Sequence, residues 1–433
     1  MQQGATVCIL GLGYIGLPTA AMLALGGYRV FGYDINSKVV ASLQNGALHV
    51  AESSVRDLVL SAAGSGALTF HDRLDEIDAS AYVICVPTPT IDHKPDLRYV
   101  ADATVAIAPR LRPGDLILLE STVPPGTTER VIAARLRAAG LNPDDYRIAH
   151  CPERVIPGAI VEELTHNDRV IGGRRPGDAE AARELYASFT RGGIHLTDCV
   201  TAELVKVIEN TYRDVNIAFA NELALLAEEL DVDAREAIAL ANNHPRVNIL
   251  SPGPGVGGHC IPVDPHFLSN ANPFVTELIQ TARRINERMP HVIVKRVLEL
   301  APLATGGSRV ALLGAAYKAN VDDTRESPTT RVEELLHESG YQTTVYDPIA
   351  SSYGSPLAPT IEAALDGVDA IVLLAAHTPF ASIDPELAAR LVRRKVLVDG
   401  QAFLDADRWR RAGFTVYALG TRRSTAAPAT VPA

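Results

Sequence analysis

Short apolar runs alternate with amphipathic stretches along the first third of the chain. The runs are ATVCIL, YRVFGYD, AYVICVP, DLILLES and YRIAHCP, and stretches such as LPTAAMLALGG lie between them. This alternation of strands and helices predicts a parallel sheet that is covered by helices on both faces. The last third repeats the pattern in SRVALLG, YQTTVYDP, DAIVLLAA and RKVLVDG. The sequence therefore predicts an α/β protein with a doubly wound, Rossmann-like domain at each end.

A long helical pattern lies between these two regions, from about Thr201 to about Leu230. Apolar residues form one stripe along it: Leu204, Ile208, Val215, Phe219, Leu226 and Leu230. About 30 residues with a rise of about 1.5 Å each would form a rod of roughly 45 Å, which can join two domains. We predict an N-terminal domain over 1–200, a central helical segment over 201–300, a C-terminal domain over 301–420 and a flexible tail over 421–433.

The chain of 433 residues is acidic, with 40 basic and 51 acidic residues and a formal net charge of −11. Such a surface repels phosphate backbones and anionic lipids, so neither nucleic acid nor a membrane is an expected partner. A membrane-spanning helix requires a run of about 18 apolar residues, and no such run occurs. The first residues also lack the pattern of a signal peptide. We therefore expect a cytoplasmic protein.

The chain has five cysteines: Cys8, Cys85, Cys151, Cys199 and Cys260. Their odd number and the lack of CxxC spacing argue against a disulfide framework and a structural zinc site, and no metal is expected. Cys8 and Cys85 lie in apolar runs and are expected to be buried. Cys260 differs, because the glycines and prolines of PGVGGHCIPVDP indicate an open loop that exposes its thiol.

The motif GLGYIG places Gly11, Gly13 and Gly16 between a predicted strand and a helix, and Asp34 follows at the end of the second strand. Such glycines let the backbone approach a pyrophosphate at a helix N-terminus, and the acidic residue accepts hydrogen bonds from ribose hydroxyls. A carboxylate there would repel the 2′-phosphate of NADP, so the motif favours NAD. The C-terminal pattern keeps only Gly314 after its first strand, which indicates a copy that has lost dinucleotide binding.

Polar residues that suit nucleophilic chemistry accompany the Cys260 loop. Asp264 follows four residues later, and Lys206, Asn210 and Arg213 share one face of the long helix. A lysine beside a cysteine lowers the pKa of the thiol, and it can also hold a developing alkoxide. A dinucleotide and a nucleophilic cysteine leave two alternatives. One is a simple aldehyde dehydrogenase, and the other is an alcohol dehydrogenase that carries its substrate to the acid through a thioester.

Six motifs in the order GLGYIGLP, ESTVPPGTTE, CPERVIPG, AELVKVIENTYRDVNIAFANELA, PGPGVGGHCIPVDP and YKANVDDTRESP span nearly the whole chain. Through them the sequence resembles the UDP-glucose/GDP-mannose dehydrogenase family of nucleotide-sugar 6-dehydrogenases. The resemblance implies an N-terminal NAD domain, a central helical segment that pairs subunits into a homodimer or higher homo-oligomer, and a C-terminal domain that binds a UDP-sugar. It also implies a four-electron oxidation of a sugar 6-hydroxyl to a uronate, through a thiohemiacetal and a thioester on the cysteine.

The resemblance carries catalytic roles onto five residues of this chain. Cys260 matches the nucleophile, and Lys206 and Asp264 match residues that manage protons and oxyanion charge. Asn210 matches a residue that helps to hold the oxygen, and Thr122 matches one at the nicotinamide and an ordered water. A non-catalytic nucleotide-binding protein with this fold is the alternative from another class, and the presence of these residues argues against it.

The resemblance also carries over binding residues. Besides Gly11, Gly13 and Gly16, the matches to NAD contacts are Tyr14, Ile15, Asp34, Thr88, Thr122 and Arg325. The matches to substrate contacts are Arg154, Val155, Lys206, Asn210, Arg213, His244, Arg246, Gly257, Tyr317 and Lys318. His244 matches a residue that the neighbouring subunit contributes. Many of these residues are cations, which suits a diphosphate and lets an acidic protein bind an anion.

The segment around Glu153 bears on the identity of the sugar. Family members that act on UDP-glucose have PEFLxEG where this chain has PERVIPG, so Pro157 stands at their second glutamate. CPERVIPG and HPRVNILSPGPGVGGHC look most like members that act on UDP-N-acetylmannosamine, followed by those that act on UDP-N-acetylglucosamine. Glu153 itself is a candidate general base for the hydrolytic water. Gln401 stands where relatives commonly carry a basic residue at the nucleotide.

Overall fold

The computed structural model describes residues 5–48, 50, 52–156 and 158–422. The chain divides into two compact units, one comprising Met1–Glu209 and His266–Pro273, the other Asn210–Pro265 and Phe274–Ala433. The predicted division into three segments and a tail stays a prediction. The tail, 421–433, lies outside the described residues except for its first two positions.

The first unit is built on a parallel sheet with one antiparallel pair. Its described strands are β1 Thr6–Leu10, β2 Arg29–Tyr33, β3 Leu68–His71, β4 Ala81–Ile84, β5 Thr90–Ile91, β6 Lys94–Pro95, β7 Leu116–Leu119, β8 Arg147–His150, β9 Arg169–Gly173 and β10 Ile194–Asp198. Eight of them form one sheet in the order β10-β9-β8-β7-β4-β1-β2-β3, and β5 and β6 form a small hairpin. The strands of the five predicted runs, β1, β2, β4, β7 and β8, pair in parallel, as expected. Strand β9, which was not among the predicted strands, runs antiparallel to β8. The segment 151–168 between them reverses the chain direction instead of crossing over the sheet.

Helices cover both faces of this sheet. They are α1 Gly16–Leu25, α2 Ser37–Gln44, α3 Ser53–Gly64, α4 Arg98–Ile107, a π-helical turn Thr128–Ala133 that continues as α5 Ala134–Ala138, α6 Ile160–His166 and α7 Pro176–Tyr186. Val7 and Ile9 of β1 point into one hydrophobic core, whereas Cys8 and Leu10 point into the other. Burial on both faces explains why the strands are continuous apolar runs.

The second unit has a five-stranded sheet in which all strands are parallel. Its described strands are β11 Ser308–Leu313, β12 Tyr341–Tyr346, β13 Ala370–Leu373, β14 Val396–Asp399 and β15 Thr415–Ala418, in the order β12-β11-β13-β14-β15. The remaining helices of the chain are α8 Cys199–Leu230, α9 Ala234–Ala241, α10 Asp264–Ala271, α11 Glu277–Leu300, α12 Pro328–Glu338, α13 Ile361–Leu365, α14 Pro385–Leu391 and α15 Ala406–Arg411. Two Rossmann-like α/β folds joined by a long central helix are thus confirmed.

The two sheets repeat one backbone feature at the end of their first strand. Gly11 follows β1 with φ +97°, and Gly314 follows β11 with φ +95°, a region that favours glycine. The N–H of Gly11 donates to the carbonyl of Tyr33 at 2.8 Å, and that of Gly314 donates to the carbonyl of Tyr346 at 2.8 Å. In each sheet this first strand has later strands on both of its sides. Such a switch in strand order marks the crevice where these folds bind ligands.

Helix α8 begins within two residues of the predicted position and ends where predicted. Its apolar stripe, however, is not covered by the residues that the structure describes. Leu204, Ile208, Phe219, Leu226 and Leu230 are between 37% and 64% exposed, and Val215 is half-buried. Exposed apolar side chains in such a row are typical of interaction sites. No helix of the described residues is long and apolar enough to cross a membrane.

Candidate active site

The glycine loop of the first unit has the shape that a bound dinucleotide requires. A Cβ atom on Gly11 would lie 2.6 Å from the Cys85 carbonyl oxygen, and one on Gly16 would collide with the Gly11 carbonyl. A Cβ on Gly13 would meet no protein atom within 4 Å, so the backbone there faces open space at the start of α1. A side chain at Gly11 or Gly16 would collide with neighbouring backbone, so only glycine fits there. Gly13 leaves room for a pyrophosphate. Tyr14 and Ile15 complete the turn.

Asp34 lies beside this loop and keeps capacity to bind a ligand. Its Oδ2 accepts from the N–H of Leu12 at 2.9 Å, and its Oδ1 accepts from the N–H of Asn36 at 2.9 Å. The residue is half-buried, and a carboxylate has about four acceptor positions, so two remain for ribose hydroxyls. The residues of this crevice therefore fit NAD.

The corresponding aspartate of the second unit, Asp347 after β12, has no such capacity. Its Oδ1 accepts from the N–H groups of Ile349 and Ala350, and its Oδ2 accepts from those of Ala315 and Ala316. The His377 ring completes the set, 3.0 Å from Oδ2, and the Asp347 side chain is fully buried. With its oxygens engaged in this way, Asp347 is not available to accept from ribose hydroxyls as Asp34 is.

The loop that carries Thr122 is fixed by two contacts within the first unit. Thr88, after β4, donates its hydroxyl to the Thr122 carbonyl at 2.7 Å, so these two predicted residues do lie together. Glu203 of α8, which no motif pointed to, is fully buried. It accepts from the N–H and the hydroxyl of Thr128, both at 2.7 Å, and from the N–H of Gly126. Burial raises the pKa of Glu203. Glu203 lies one helical turn before Lys206, so α8 positions both the lysine and this loop.

A second buried carboxylate, Glu120, lies at the end of β7 two residues before Thr122. It accepts from the thiol of Cys85 at 2.8 Å, from the hydroxyl of Tyr186 at 3.1 Å and from that of Thr19 at 3.4 Å. Burial, and next the charge of Glu153, raise the pKa of Glu120 from 4.5 to about 7. The surroundings of Cys85 are therefore not wholly apolar, contrary to what its apolar run indicated, because its thiol bonds to this carboxyl group.

Replacing Glu120 by glutamine is expected to flatten the dependence of stability on pH. Because folding raises the pKa of Glu120, the stability that its bound proton provides is complete below about pH 4.5 and is lost as the pH rises through about 7. The difference is about 3 kcal/mol between pH 5 and pH 8. We expect Glu120→Gln to melt at a higher temperature than the unmodified protein at pH 8 but not at pH 5, whereas the exposed control Glu162→Gln should follow the unmodified protein. A parallel pH dependence in Glu120→Gln and the unmodified protein would contradict this.

The CPER segment after β8 is held by ion pairs within the first unit. Glu153 is buried, its Oε2 lies 3.1 Å from the Arg169 guanidinium, and its Oε1 accepts from the N–H of Arg154 at 2.5 Å. Arg154 itself pairs with Glu209 of α8 at 2.5 Å. Val155 packs on one hydrophobic core. Both Glu153 oxygens are thus engaged in anchoring the segment, and its role as a general base stays a prediction.

The thiol loop of the second unit and α8 bring four predicted residues together. Cys260 begins a single turn in which its carbonyl accepts from the N–H of Asp264 at 2.9 Å. Asp264 is buried, and its Oδ2 accepts from the amide of Asn210 on α8. The Asn210 Oδ1 in turn accepts from the guanidinium of Arg213. Arg213 thus orients Asn210, and Asn210 holds the Asp264 carboxylate on the same helical turn as the half-buried thiol.

A second loop of the same unit, 315–326, lies against the thiol loop. A Cβ on Gly257 would lie 2.6 Å from the Glu326 carbonyl and 2.7 Å from the Tyr317 Cβ, and the N–H of Gly258 donates to the Arg325 carbonyl at 3.2 Å. Only glycine permits this approach. Burial, Asp323 and Cys260 together raise the pKa of Tyr317. Hydrogen bonds and an ion pair with Asp323, 2.7 Å away, raise the pKa of Arg325.

The remaining predicted residues are not part of these contacts. Lys206 is half-buried on α8, and Lys318 is exposed on the loop 315–326. His244 and Arg246 form an exposed turn, in which the Arg246 N–H donates to the His244 Nδ1 at 3.4 Å. Gln401, after β14, donates its side-chain amide to the Leu374 carbonyl at 2.7 Å.

Family models match three successive stretches of the chain. They are the NAD binding, central and UDP binding domains of the UDP-glucose/GDP-mannose dehydrogenase family, over residues 5–190, 200–288 and 311–406. The chain belongs to this family, and it is an NAD-dependent nucleotide-sugar dehydrogenase.

Individual relatives are similar along nearly their whole length. The UDP-N-acetyl-D-mannosamine dehydrogenase of Methanocaldococcus jannaschii is 45% identical over 96% of this chain and 97% of its own. The NDP-N-acetyl-D-galactosaminuronic acid dehydrogenase of Ralstonia nicotianae is 42% identical over 93% of this chain and 97% of its own. The solved structure of the UDP-D-ManNAc dehydrogenase of Pyrococcus horikoshii superimposes with a TM-score of 0.90 at 41% identity, covering 96% of this chain and 99% of that one.

Proposed function

We propose that the protein oxidises UDP-N-acetyl-D-mannosamine at C6 to the uronate, in two successive oxidations on one enzyme. The observation that carries the proposal is the thiol loop, in which Cys260 shares one turn with a buried carboxylate that Asn210 holds. A simple alcohol dehydrogenase would not need such a nucleophile beside its substrate. The overall reaction consumes one alcohol, one water and two NAD, and yields one carboxylate, two NADH and three protons.

Bound at the glycine loop and Asp34, NAD would supply the hydride acceptor for each of the two oxidations. The Cys260 thiolate adds to the aldehyde carbon and forms a thiohemiacetal, whose oxidation gives a thioester. Water then cleaves the thioester, which releases the carboxylate and restores the thiol. Asp264 and Lys206 take up and return protons and balance the charge on the sugar oxygen, and Asn210 donates to that oxygen.

Binding of the cofactor and the nucleotide is proposed for separate groups of residues. Gly11, Gly13, Tyr14, Ile15, Gly16, Asp34, Thr88, Thr122 and Arg325 would contact NAD. Arg154, Val155, Lys206, Asn210, Arg213, His244, Arg246, Gly257, Tyr317 and Lys318 would contact the UDP-sugar. Arginines suit a diphosphate because the guanidinium offers paired donors to two oxygens.

The identity of the sugar rests on two supports. The motifs CPERVIPG and HPRVNILSPGPGVGGHC resemble those of enzymes for the N-acetylmannosamine nucleotide, and two similar proteins bear that name. A panel of UDP-N-acetylmannosamine, UDP-N-acetylglucosamine, UDP-N-acetylgalactosamine and UDP-glucose, followed by NADH absorbance, tests it. We expect the highest kcat/KM with the first sugar and two NADH per sugar. A higher kcat/KM for another sugar would identify that sugar as the substrate. One NADH per sugar would exclude oxidation to the acid.

Replacing Asp34 by alanine is expected to raise the KM for NAD on the order of 30-fold, since a hydrogen bond to a charged group contributes about 2 kcal/mol. The exposed control Asp57→Ala should keep the KM of the unmodified protein. The unmodified protein should use NADP far less efficiently than NAD, because the Asp34 carboxylate repels a 2′-phosphate. Equal kcat/KM values for the two cofactors would contradict this role of Asp34.

We further propose that the exposed stripe of α8 pairs two copies of the chain, in the cytoplasm, into a homodimer or a higher homo-oligomer. The support is the row of large apolar side chains that α8 exposes. Sedimentation of the full chain should give at least twice its monomer mass of 46.2 kDa. Leu226→Glu should lower that mass, whereas Leu60→Glu, at an exposed apolar residue of α3, should not. A monomeric unmodified protein would exclude the pairing.

A further inference from the structure

A buried histidine of the second unit bridges a fixed carboxylate and the loop 315–326. His377 follows β13 and is fully buried. Its Nε2 lies 3.0 Å from the Asp347 Oδ2, and its Nδ1 lies 2.9 Å from the backbone nitrogen of Asn320. Because a backbone N–H can only donate, Nδ1 accepts and Nε2 carries the proton. The bridge therefore needs the neutral ring in one tautomer.

The carboxylate end of this bridge cannot move. Four backbone N–H groups donate to Asp347, from the start of the loop and from the turn after β12. Although burial raises the pKa of Asp347, hydrogen bonds from His377 and from these N–H groups hold it well below its usual value. Asp347 is thus an anion that orients the His377 ring.

The other end of the bridge fixes the tip of the loop. Asn320 has a left-handed backbone with φ +61°, and its side-chain oxygen accepts from the N–H of Thr378 at 2.9 Å. Two hydrogen bonds therefore join the tip to the segment after β13. A further bond closes the loop on itself, from the N–H of Tyr317 to the carbonyl of Asp323 at 3.1 Å.

We propose that His377 is a positioning residue for nucleotide-sugar binding. It holds the loop 315–326 so that Tyr317 and Lys318 are presented to the diphosphate and so that the Arg325 carbonyl supports the thiol loop at Gly258. The inference rests on the proposed function of this loop in substrate binding. The alternative is a histidine that only fills the core, where its ring stands edge-on to Phe380 at a centroid distance of 5.6 Å.

Two substitutions of His377 test its two hydrogen bonds separately. In His377→Asn, the amide oxygen takes the place of Nδ1 and can still accept from Asn320. In His377→Gln, the amide nitrogen takes the place of Nε2 and can still donate to Asp347, but the contact with the loop is lost. If His377 positions the loop, Gln should raise the KM for the UDP-sugar and the Kd for UDP on the order of tenfold. Asn should stay within about threefold of the unmodified protein.

Amide hydrogen exchange of the full chain provides a readout that does not depend on turnover. Peptides within 315–326 should exchange faster in His377→Gln than in the unmodified protein or in His377→Asn. The control His337→Gln, at an exposed histidine of α12, should change neither exchange nor KM. Unchanged loop exchange and unchanged UDP affinity in His377→Gln, with only a lower melting temperature, would overturn the proposal and leave the core-filling role.

One further variant covers the case in which neither His377 variant folds. Asn320→Gly keeps the backbone N–H and tolerates the left-handed φ, but it removes the bond from Thr378. It should give a smaller rise in loop exchange and in the Kd for UDP, and unchanged values would overturn the proposal. If the unmodified protein binds UDP but oxidises no UDP-sugar, the proposed function fails, whereas the exchange and UDP-affinity comparisons still decide the role of His377.

Discussion

Replacing Cys260 by serine is expected to abolish formation of the uronate. A serine hydroxyl ionises far less readily than a thiol and is a much weaker nucleophile than a thiolate, so the aldehyde is not captured and the thioester cannot form. We expect the rate of acid formation to fall by about 10⁴-fold or more, the range found when a catalytic nucleophile is removed. Mass spectrometry of the sugar product, together with the number of NADH per sugar, measures this.

The Cys260 prediction has a matched control elsewhere in the chain. Cys199 at the start of α8 is buried, and its thiol donates to the Gly172 carbonyl at 3.3 Å, a bond that a serine hydroxyl can also make. Cys199→Ser should therefore form the acid at nearly the normal rate. Binding of NAD should be unchanged in Cys260→Ser. Acid formation at the normal rate in Cys260→Ser would exclude the thioester route.

Replacing Asp264 by asparagine is expected to lower kcat by about 100-fold, within the range that a positioned acid–base group contributes. Asn210 holds the Asp264 carboxylate on the turn that begins at Cys260. Among the described residues of the second unit, it holds no other charged group on that turn. An amide of the same shape removes the charge of Asp264 and its ability to accept a proton. Because the shape is kept, the Kd for UDP should change by less than about threefold.

The control for Asp264 is Asp322→Asn, at an exposed residue of the loop 315–326. It should leave kcat unchanged. Stopped-flow measurement of the first NADH and steady-state measurement of the second would show which oxidation depends on Asp264. A normal kcat in Asp264→Asn, with the variant folded as judged by its melting temperature, would remove Asp264 from the catalytic residues.

Those parts of the fold and site that depend on local patterns could be predicted from the sequence. The apolar runs of β1 and β11, the glycine spacing after Leu10 and the bounds of α8 each follow from the order of neighbouring residues. The thiol loop is also local, since Cys260 and Asp264 lie on one turn. The parallel pairing of the five predicted strands was confirmed, whereas β9, which runs antiparallel to β8, was not predicted.

The contacts that hold the site in place could not be predicted in this way, because their partners are distant in sequence. Glu203 lies 75 residues from Thr128, and Glu120 lies 101 residues from Thr19. A lone glutamate in an apolar helix gives no signal of what it will accept from. The apolar stripe on α8 shows a second limit of prediction from the sequence. An apolar row predicts that its side chains are buried, but it does not tell whether the same chain or another copy of it covers them.

The difference between Asp34 and Asp347 has a consequence for the order of events during turnover. In the proposed reaction two hydrides leave one sugar, but of the two crevices only the first has an aspartate that is available to a ribose. Each chain would then have to exchange spent for fresh cofactor while the half-oxidised sugar remains on the enzyme. A covalent bond to Cys260 would prevent the escape of a reactive aldehyde during that interval. The loss of the second dinucleotide site would thus make retention of the intermediate a requirement of the fold.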